Sequence, residues 1–453
     1  MKQGISVLLR RAAILAAFAF GLSAIAAPKH VLVVTATQGF RHSSIPLAEK
    51  VLAGLGEQTG IFTVDYARGG ADGKGSEDLA EKMSREALKK YDLIIFANTT
   101  GDLPLPEKEA LTDFVKSGKG FVGMHSASDT YHGWRPYIDM LGGEFQTHHE
   151  QVGIQCINED REHPATRHFG PFFNVFDEIY IMKSYDGNKV HRLLTVDKHP
   201  NTGIPGEYAV AWCREVGKGR VFYTSLGHRE DVWLSQPYQE HILGGIKWAL
   251  GLEKGSAEPE SNEVQLTKEE KREGFKPLFD GEKMDGWHLR DKDGKQSWSV
   301  QNGNLVNVVG KDEHGTDLVS DDKFKDFVVR YEYMVPKGAN SGFYLRGRHE
   351  IQILDDAGAN VKEPRPGSNG GLYTIAPAST MVSRKAGDWQ TVEAKMVGNK
   401  VTVYLNGVKI HDNVVVDKAT GGQLDDKVGE AGPFMLQGDH GSVAFRNIRV
   451  RKL

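Results

Sequence analysis

A chain of 453 residues is about three times an ordinary ~150-residue domain, so it divides into two or three folding units. Hydrophobic residues at 39% and charged residues at 26% supply ample material for cores, and a formal charge of −4 leaves no basic excess for nucleic acid. Two cysteines make neither a disulfide framework nor a cysteine-based zinc site, while 52 glycines favour turn-rich, β-rich architecture.

The first segment has the form of a secretory signal peptide over 1–26. Lys2, Arg10 and Arg11 precede a 16-residue apolar stretch from Ala12 to Ala27 that ends in the small-residue pattern Ala24-Ile25-Ala26. The stretch is too short to span a bilayer comfortably, so no membrane span is expected. The expected location is periplasmic or secreted, and cleavage takes the formal charge from −4 to −7 by removing three cations. Export permits a Cys156–Cys213 disulfide; free buried thiols are the equal alternative.

From 29 to 252, β-branched runs alternate with helical stretches. Strands are expected at His30–Thr35, Thr63–Tyr66, Asp92–Ala97, Gly120–His125 and Arg220–Ser225, with helices at Ile45–Leu55, Ser76–Lys90, Pro106–Ser117 and Gln236–Leu250. Continuous apolar strands between helices imply a Rossmann-like α/β domain with a mostly parallel sheet covered on both faces. Ligands of such sheets bind beyond the carboxyl ends of the strands. Residues 253–274 read as a charged linker, closed by a capping box at Thr267–Glu270 that predicts a short helix. From 275 to 453, short strands recur between turn dipeptides such as Asn302-Gly303 and Asn406-Gly407, which predicts an all-β sandwich or jelly roll.

In the α/β part, Gly120–Ala127 (GFVGMHSA) places His125 at the tip of a strand-to-helix elbow, where neither Ser nor Cys is available for acyl transfer. His42, Asp129, His148 and His228 fall in loops that converge with it, and such a cluster can hold a metal or serve as acid and base. The motifs Gly39-Phe40-Arg41-His42, His125-Ser126-Ala127 with Asp129, Gly142-Gly143-x-Phe145 before His148, and Leu226-Gly227-His228 resemble the ThuA-like (trehalose utilisation) family. That family is related to class I glutamine amidotransferase domains. The resemblance implies a flavodoxin/amidotransferase-like fold and a sugar-related role, and His125 at the elbow, where glutaminase chemistry needs a thiol, predicts no glutaminase activity.

In the β part, the segment 340–355 (NSGFYLRGRHEIQILD) alternates so that Tyr344, Arg346, Glu350 and Gln352 share a polar face. Matching the apolar faces with Leu345 opposite Ile351 and a Gly347-Arg348-His349 loop sets Arg346 opposite Glu350 and Tyr344 opposite Gln352. Tyr331, Tyr333, Tyr373 and Trp389, with Gln437, Asp439 and His440, would complete a concave sugar-binding face. An exposed Arg–Glu pair on a solvated sheet is the alternative, worth under ~1 kcal/mol.

The motifs Phe279-Asp280-Gly281, Asp285-Gly286-Trp287, Asn340–Gly347, Glu350–Asp355, Gly387-Asp388-Trp389 and Phe445-Arg446-Asn447-Ile448 resemble the 3-keto-disaccharide hydrolase family. The resemblance implies a concanavalin-like jelly roll and cleavage of glucosides already oxidised at C3. A ketone there acidifies the C2 hydrogen, and one base with one electrophile suffices. Glu350 is the expected base, Arg346 or a metal the electrophile, and His440 the acid. Tyr344, Gln352, Tyr373, Trp389 and Asp439 are the expected substrate contacts. A divalent metal is allowed for, no nucleotide cofactor is expected, and the expected partner is a small-molecule sugar. The rival readings are a non-catalytic carbohydrate-binding protein, an ordinary glycosidase, and an enzyme whose chemistry lies in the ThuA-like half. No sequence feature assigns an oligomeric state.

Overall fold

In the computed structural model the described residues are 27–310, 312–357 and 363–453, so the expected signal peptide lies outside them. The chain forms a two-domain architecture. Strands of the first domain are β1 (Lys29–Val34), β2 (Phe62–Ala67), β3 (Leu93–Ala97), β4 (Gly120–Met124), β5 (Glu144–His148), β6 (Val152–Asn158), β7 (Phe172–Asp177), β8 (Tyr180–Lys183), β9 (His191–Lys198), β10 (Pro205–Val216) and β11 (Gly219–Thr224). Nine of them build one sheet in the order β2-β1-β3-β4-β11-β10-β9-β6-β7, while β5 and β8 pair separately.

The first five strands of that order are parallel, as the apolar runs predict. Their side chains alternate between two cores: Val31 and Val33 pack on one face, Leu32 and Val34 on the other. Burial on both faces is why β1, β3, β4 and β11 carry no polar alternation, whereas the edge strand β2 exposes Thr63 and Asp65. The remaining four strands are antiparallel, so the sheet is mixed rather than mostly parallel. Two residues, Gly217 and Lys218, join β10 to β11, and a connection that short joins only antiparallel strands. The expected helix over Ser76–Lys90 is two, Glu77–Lys82 and Arg85–Leu88, because the Ser84 hydroxyl accepts from the Ala87 N–H and starts a new helix. Cys156 and Cys213 are free and buried, which removes the disulfide alternative.

The connecting segment is not a free linker. The Ser256 carbonyl accepts from Cys213 and the Glu258 carbonyl from His191 Nδ1, while Asn262 accepts from Arg192. The helix Lys268–Glu273 carries both halves of the capping box that the sequence predicts. Glu270 then accepts from Arg449 and Arg330 of the second domain.

The second domain is sheet-rich and antiparallel. One sheet runs Trp298–Gln301, Asn304–Asn307, Val443–Lys452, Phe327–Met334, Gln390–Val397, Lys400–Leu405 and Val408–Val415. The other runs Trp287–Leu289, Leu318–Ser320, Met435–Leu436, Asn340–Leu345 and His349–Leu354. Their inner faces share one aromatic core, in which Tyr331 stacks on Phe343 with ring centroids 4.0 Å apart. Tyr331 and Tyr333 are therefore core residues and do not line a sugar-binding face.

Candidate functional site

The hairpin of Asn340–Leu345 and His349–Leu354 supplies the floor of a cleft of about 230 Å³ in the second domain. Its register pairs Phe343 with Ile351, Tyr344 with Glu350, Leu345 with His349 and Gly342 with Gln352. The loop is Arg346-Gly347-Arg348, because Arg346 and Gly347 both adopt positive φ, at 53° and 66°. That loop has the expected three residues but starts one residue earlier than the sequence reading placed it. The polar and apolar faces keep their parity, yet Arg346 leaves the face altogether. Its guanidinium is buried and donates to the carbonyls of Lys325, Val428 and Gly398, so it closes the turn and is not an electrophile beside Glu350.

Glu350, Tyr344, Gln352, Tyr373, Asp439 and His440 line the cleft together, joined by Arg290, Asp317 and Gln437. The Glu350 carboxyl is buried and accepts from the Tyr344 hydroxyl at 2.9 Å. A Cβ on Gly342 would sit 2.4 Å from Glu350 Oε1, so glycine there leaves the room in which the carboxyl lies. Burial pushes the Glu350 carboxyl up to about 7, with Asp317 and Asp439 adding to the rise; the Tyr344 hydroxyl and His440 oppose it. Asp439 pairs with His440 at the rim. Arg290 reaches Asp317 at 3.2 Å and the Gly422 carbonyl at 2.8 Å. Arg290 and Asp317 were missed from sequence because they come from loops flanking other strands, where alternation gives no signal.

Trp389 is absent from this cleft. It directly precedes the interior strand Gln390–Val397 of the other sheet, and its indole donates to Asp197 of the first domain at 2.7 Å while Arg446 lies over its ring. It holds the domains together and is no platform beside Glu350.

A second cluster forms at the carboxyl ends of β1, β4 and β11. His125 follows β4 with φ 50°, a positive value at the sharp elbow that the sequence pattern implies. A Cβ on Gly123 would meet Leu141 at 2.9 Å and Tyr223 at 3.0 Å, so the bare position eases close packing just before the elbow. His125 donates through Nδ1 to the Ser225 carbonyl at 2.7 Å, which leaves Nε2 as a lone pair. His42 Nε2 lies 3.1 Å from that nitrogen and the Tyr180 hydroxyl 2.8 Å from it. Burial holds His125 well below the usual imidazole range, and His42 down to about 4, with the neighbouring imidazoles adding to the shift.

The Glu178 carboxylate stands 3.2 Å from His228 Nδ1, 3.7 Å from His148 Nδ1 and 3.9 Å from His125 Nε2. Four expected histidines thus converge, with His148 at the open rim. Asp129 does not join them: it pairs with His132 at 2.6 Å, which in turn contacts Glu144. Glu178 and Tyr180 were not anticipated, because β7 and β8 went unread. The aromatic and β-branched run Phe172–Asp177 (FFNVFD) is the signal that places a strand immediately before them.

Residues 30–249 match the family described as trehalose utilisation (ThuA), and residues 274–451 match the one described as a 3-keto-alpha-glucoside-1,2-lyase-like domain. The chain joins a ThuA-like domain to a 3-keto-alpha-glucoside-1,2-lyase-like domain. Over 112 residues it is 36% identical to a 3-keto-disaccharide hydrolase of Bacteroides thetaiotaomicron, a match covering 23% of this chain and 36% of that protein. The match thus spans about a third of that relative's length. Among solved structures, a glycosyl hydrolase of Parabacteroides distasonis is 22% identical with a TM-score of 0.36, covering 42% of this chain and 99% of that one. A ThuA-like protein of Parabacteroides merdae is 20% identical with a TM-score of 0.42, covering 49% and 90%. Among the described residues no helix is long and apolar enough to cross a membrane.

Proposed function

We propose that this chain is a carbohydrate-active enzyme that cleaves 3-keto-glycosides in the Glu350 cleft. The observation that carries the reading is a buried carboxyl poised near neutrality on the floor of a polar cleft, in the domain that matches the lyase-like family. A base works best when its pKa lies near the working pH, and an ordinary exposed glutamate is too weak. Glu350 takes the C2 proton of a sugar whose C3 is a ketone, and the electron pair forms an enolate on the C3 oxygen. Arg290, whose guanidinium faces the cleft, steadies that oxygen in place of Arg346. The enolate re-forms the ketone as C1=C2 appears and the C1–oxygen bond breaks. The leaving oxygen takes its proton from His440 or from the newly protonated Glu350. Water adding across C1=C2 gives net hydrolysis. One base and one cation serve this route, unlike the two carboxylates of ordinary glycosidases.

The concanavalin-like jelly roll of the second domain and the Rossmann-like character of the first belong to the same reading. So does export to the periplasm, which the Lys2–Ala27 pattern supports. N-terminal sequencing of the mature protein should find a start near Ala27; a protein still beginning at Met1 contradicts export. For the chemistry, the full chain is incubated with a 3-keto-disaccharide and with its unoxidised parent. The proposal expects cleavage of the ketone alone. Cleavage of the parent at a comparable rate points to an ordinary glycosidase, and binding without turnover to a sugar-binding protein.

A further inference from the structure

The imidazoles of His42, His125 and His228 offer ligand nitrogens that all lie within 4.8 Å of one another, and no other such group of His, Cys, Asp or Glu occurs among the described residues. Their rings are mutually edge-on, with interplanar angles of 81°, 89° and 79° and centroids 4.6 to 5.3 Å apart. Three ligands of a tetrahedral cation at ~2.0–2.1 Å from the metal stand about 3.3 Å apart, close to the 3.1 Å between the Nε2 atoms of His42 and His125.

Hydrogen bonding alone leaves this cluster over-subscribed. With Nδ1 committed to the Ser225 carbonyl, His125 has one lone pair on Nε2, and both His42 Nε2 and the Tyr180 hydroxyl are directed at it. A single in-plane lone pair satisfies one donor, not two. A cation shared by the nitrogens takes the lone pairs of both imidazoles, and the Tyr180 hydroxyl then turns its hydrogen away from Nε2. His42 Nε2 then also offers a lone pair, and its Nδ1–H turns toward the Ser126 hydroxyl at 3.4 Å. The surroundings are those of metal-bound histidines, whose second nitrogen is held by a carbonyl or carboxylate. Ser225 does this for His125, and the Glu178 carboxylate stands 3.2 Å from His228 Nδ1, an ion-pair contact rather than an aligned hydrogen bond.

We propose that His42, His125 and His228 bind a divalent transition cation of the zinc class, with a fourth position open for water or for an oxygen of a small hydroxylated ligand. His228 retains solvent exposure, which distinguishes an open site from a closed structural one. Phe40, 66% exposed and edge-on to His42 at 4.8 Å, offers an apolar surface at the mouth. Glu178 is a positioning residue that holds the His228 ring and balances the cation's charge. This inference is independent of the Glu350 reading, since the two sites lie in different domains.

The test uses the full chain, stripped with a chelator and titrated with Co²⁺ and, separately, with Zn²⁺. One equivalent should bind, and the cobalt form should show the intense visible bands of a four-coordinate ion. His228→Ala and His42→Ala should each weaken binding at least tenfold, and Glu178→Gln by roughly 10- to 100-fold. His132→Ala, outside the cluster, should leave affinity unchanged. Absence of a one-equivalent site or of the bands in the unaltered chain overturns the proposal, whatever the variants do. So does unaltered affinity in folded His42→Ala and His228→Ala proteins.

Discussion

On the proposed reading, Glu350 is costly to the fold and useful to the chemistry for the same reason: it is a carboxyl taken out of water with a single phenol for company. Its raised pKa means that the folded state favours the protonated form. Stability is therefore full below the unfolded value of about 4.5 and is lost as pH climbs through about 7. Glu350→Gln should melt higher than the parent above pH 7, by an amount on the order of 1–3 kcal/mol, in thermal scans at several pH values. The same variant should lose about 10²- to 10⁴-fold in turnover of a 3-keto-glycoside. In the parent, kcat/KM should rise with pH to a plateau above about 7; a rate flat from pH 5 to 9 would contradict a Glu350 base.

Gly342→Ala tests position separately from identity. Its methyl would displace the carboxyl, so activity should fall while circular dichroism stays native. Glu350 was legible in the sequence because alternation fixes the face a residue occupies, and the observed register preserves parity. Arg346 was not. Its place depends on which two residues accept positive φ, a matter of turn sterics that side-chain alternation does not report.

Helices and strands were legible where both faces are buried or a cap is written locally. The four inner parallel strands β1, β3, β4 and β11 and the Thr267–Glu270 box are of this kind. The antiparallel half of the first sheet was not: Val152–Asn158 is half-exposed and mixes polar with apolar residues, and the buried His191–Lys198 carries His, Arg and Thr within its apolar run. Glu270 shows what the linker helix does once formed. Burial raises its pKa, but the Thr267 N–H, Arg449 and Arg330 outweigh that and hold it down at about 2. Its contribution is present above the unfolded value near 4.5 and is lost as pH falls through about 2. Glu270→Gln should therefore cost roughly 1–3 kcal/mol near pH 7 and progressively less between pH 4.5 and 2, read from denaturant unfolding.

At the scale of the molecule, the sequence revealed two domains by their change in texture but not how they meet. Contacts between domains are made by single side chains far apart in sequence, such as Trp389 on Asp197 and Gln301 on the Glu207 N–H. No periodicity announces them. Trp389→Ala should lower the melting temperature and leave the KM for a 3-keto-glycoside unchanged; a raised KM would return Trp389 to the substrate site. In the proposed reaction Glu350 removes the C2 proton of a 3-keto-glycoside. The most direct measurement is turnover of such a substrate in deuterated water by the full chain and by Glu350→Gln, followed by NMR at C2. Solvent deuterium should appear at C2 with the parent protein, and both exchange and cleavage should be lost in the folded variant. Cleavage at a near-parental rate by Glu350→Gln would contradict it.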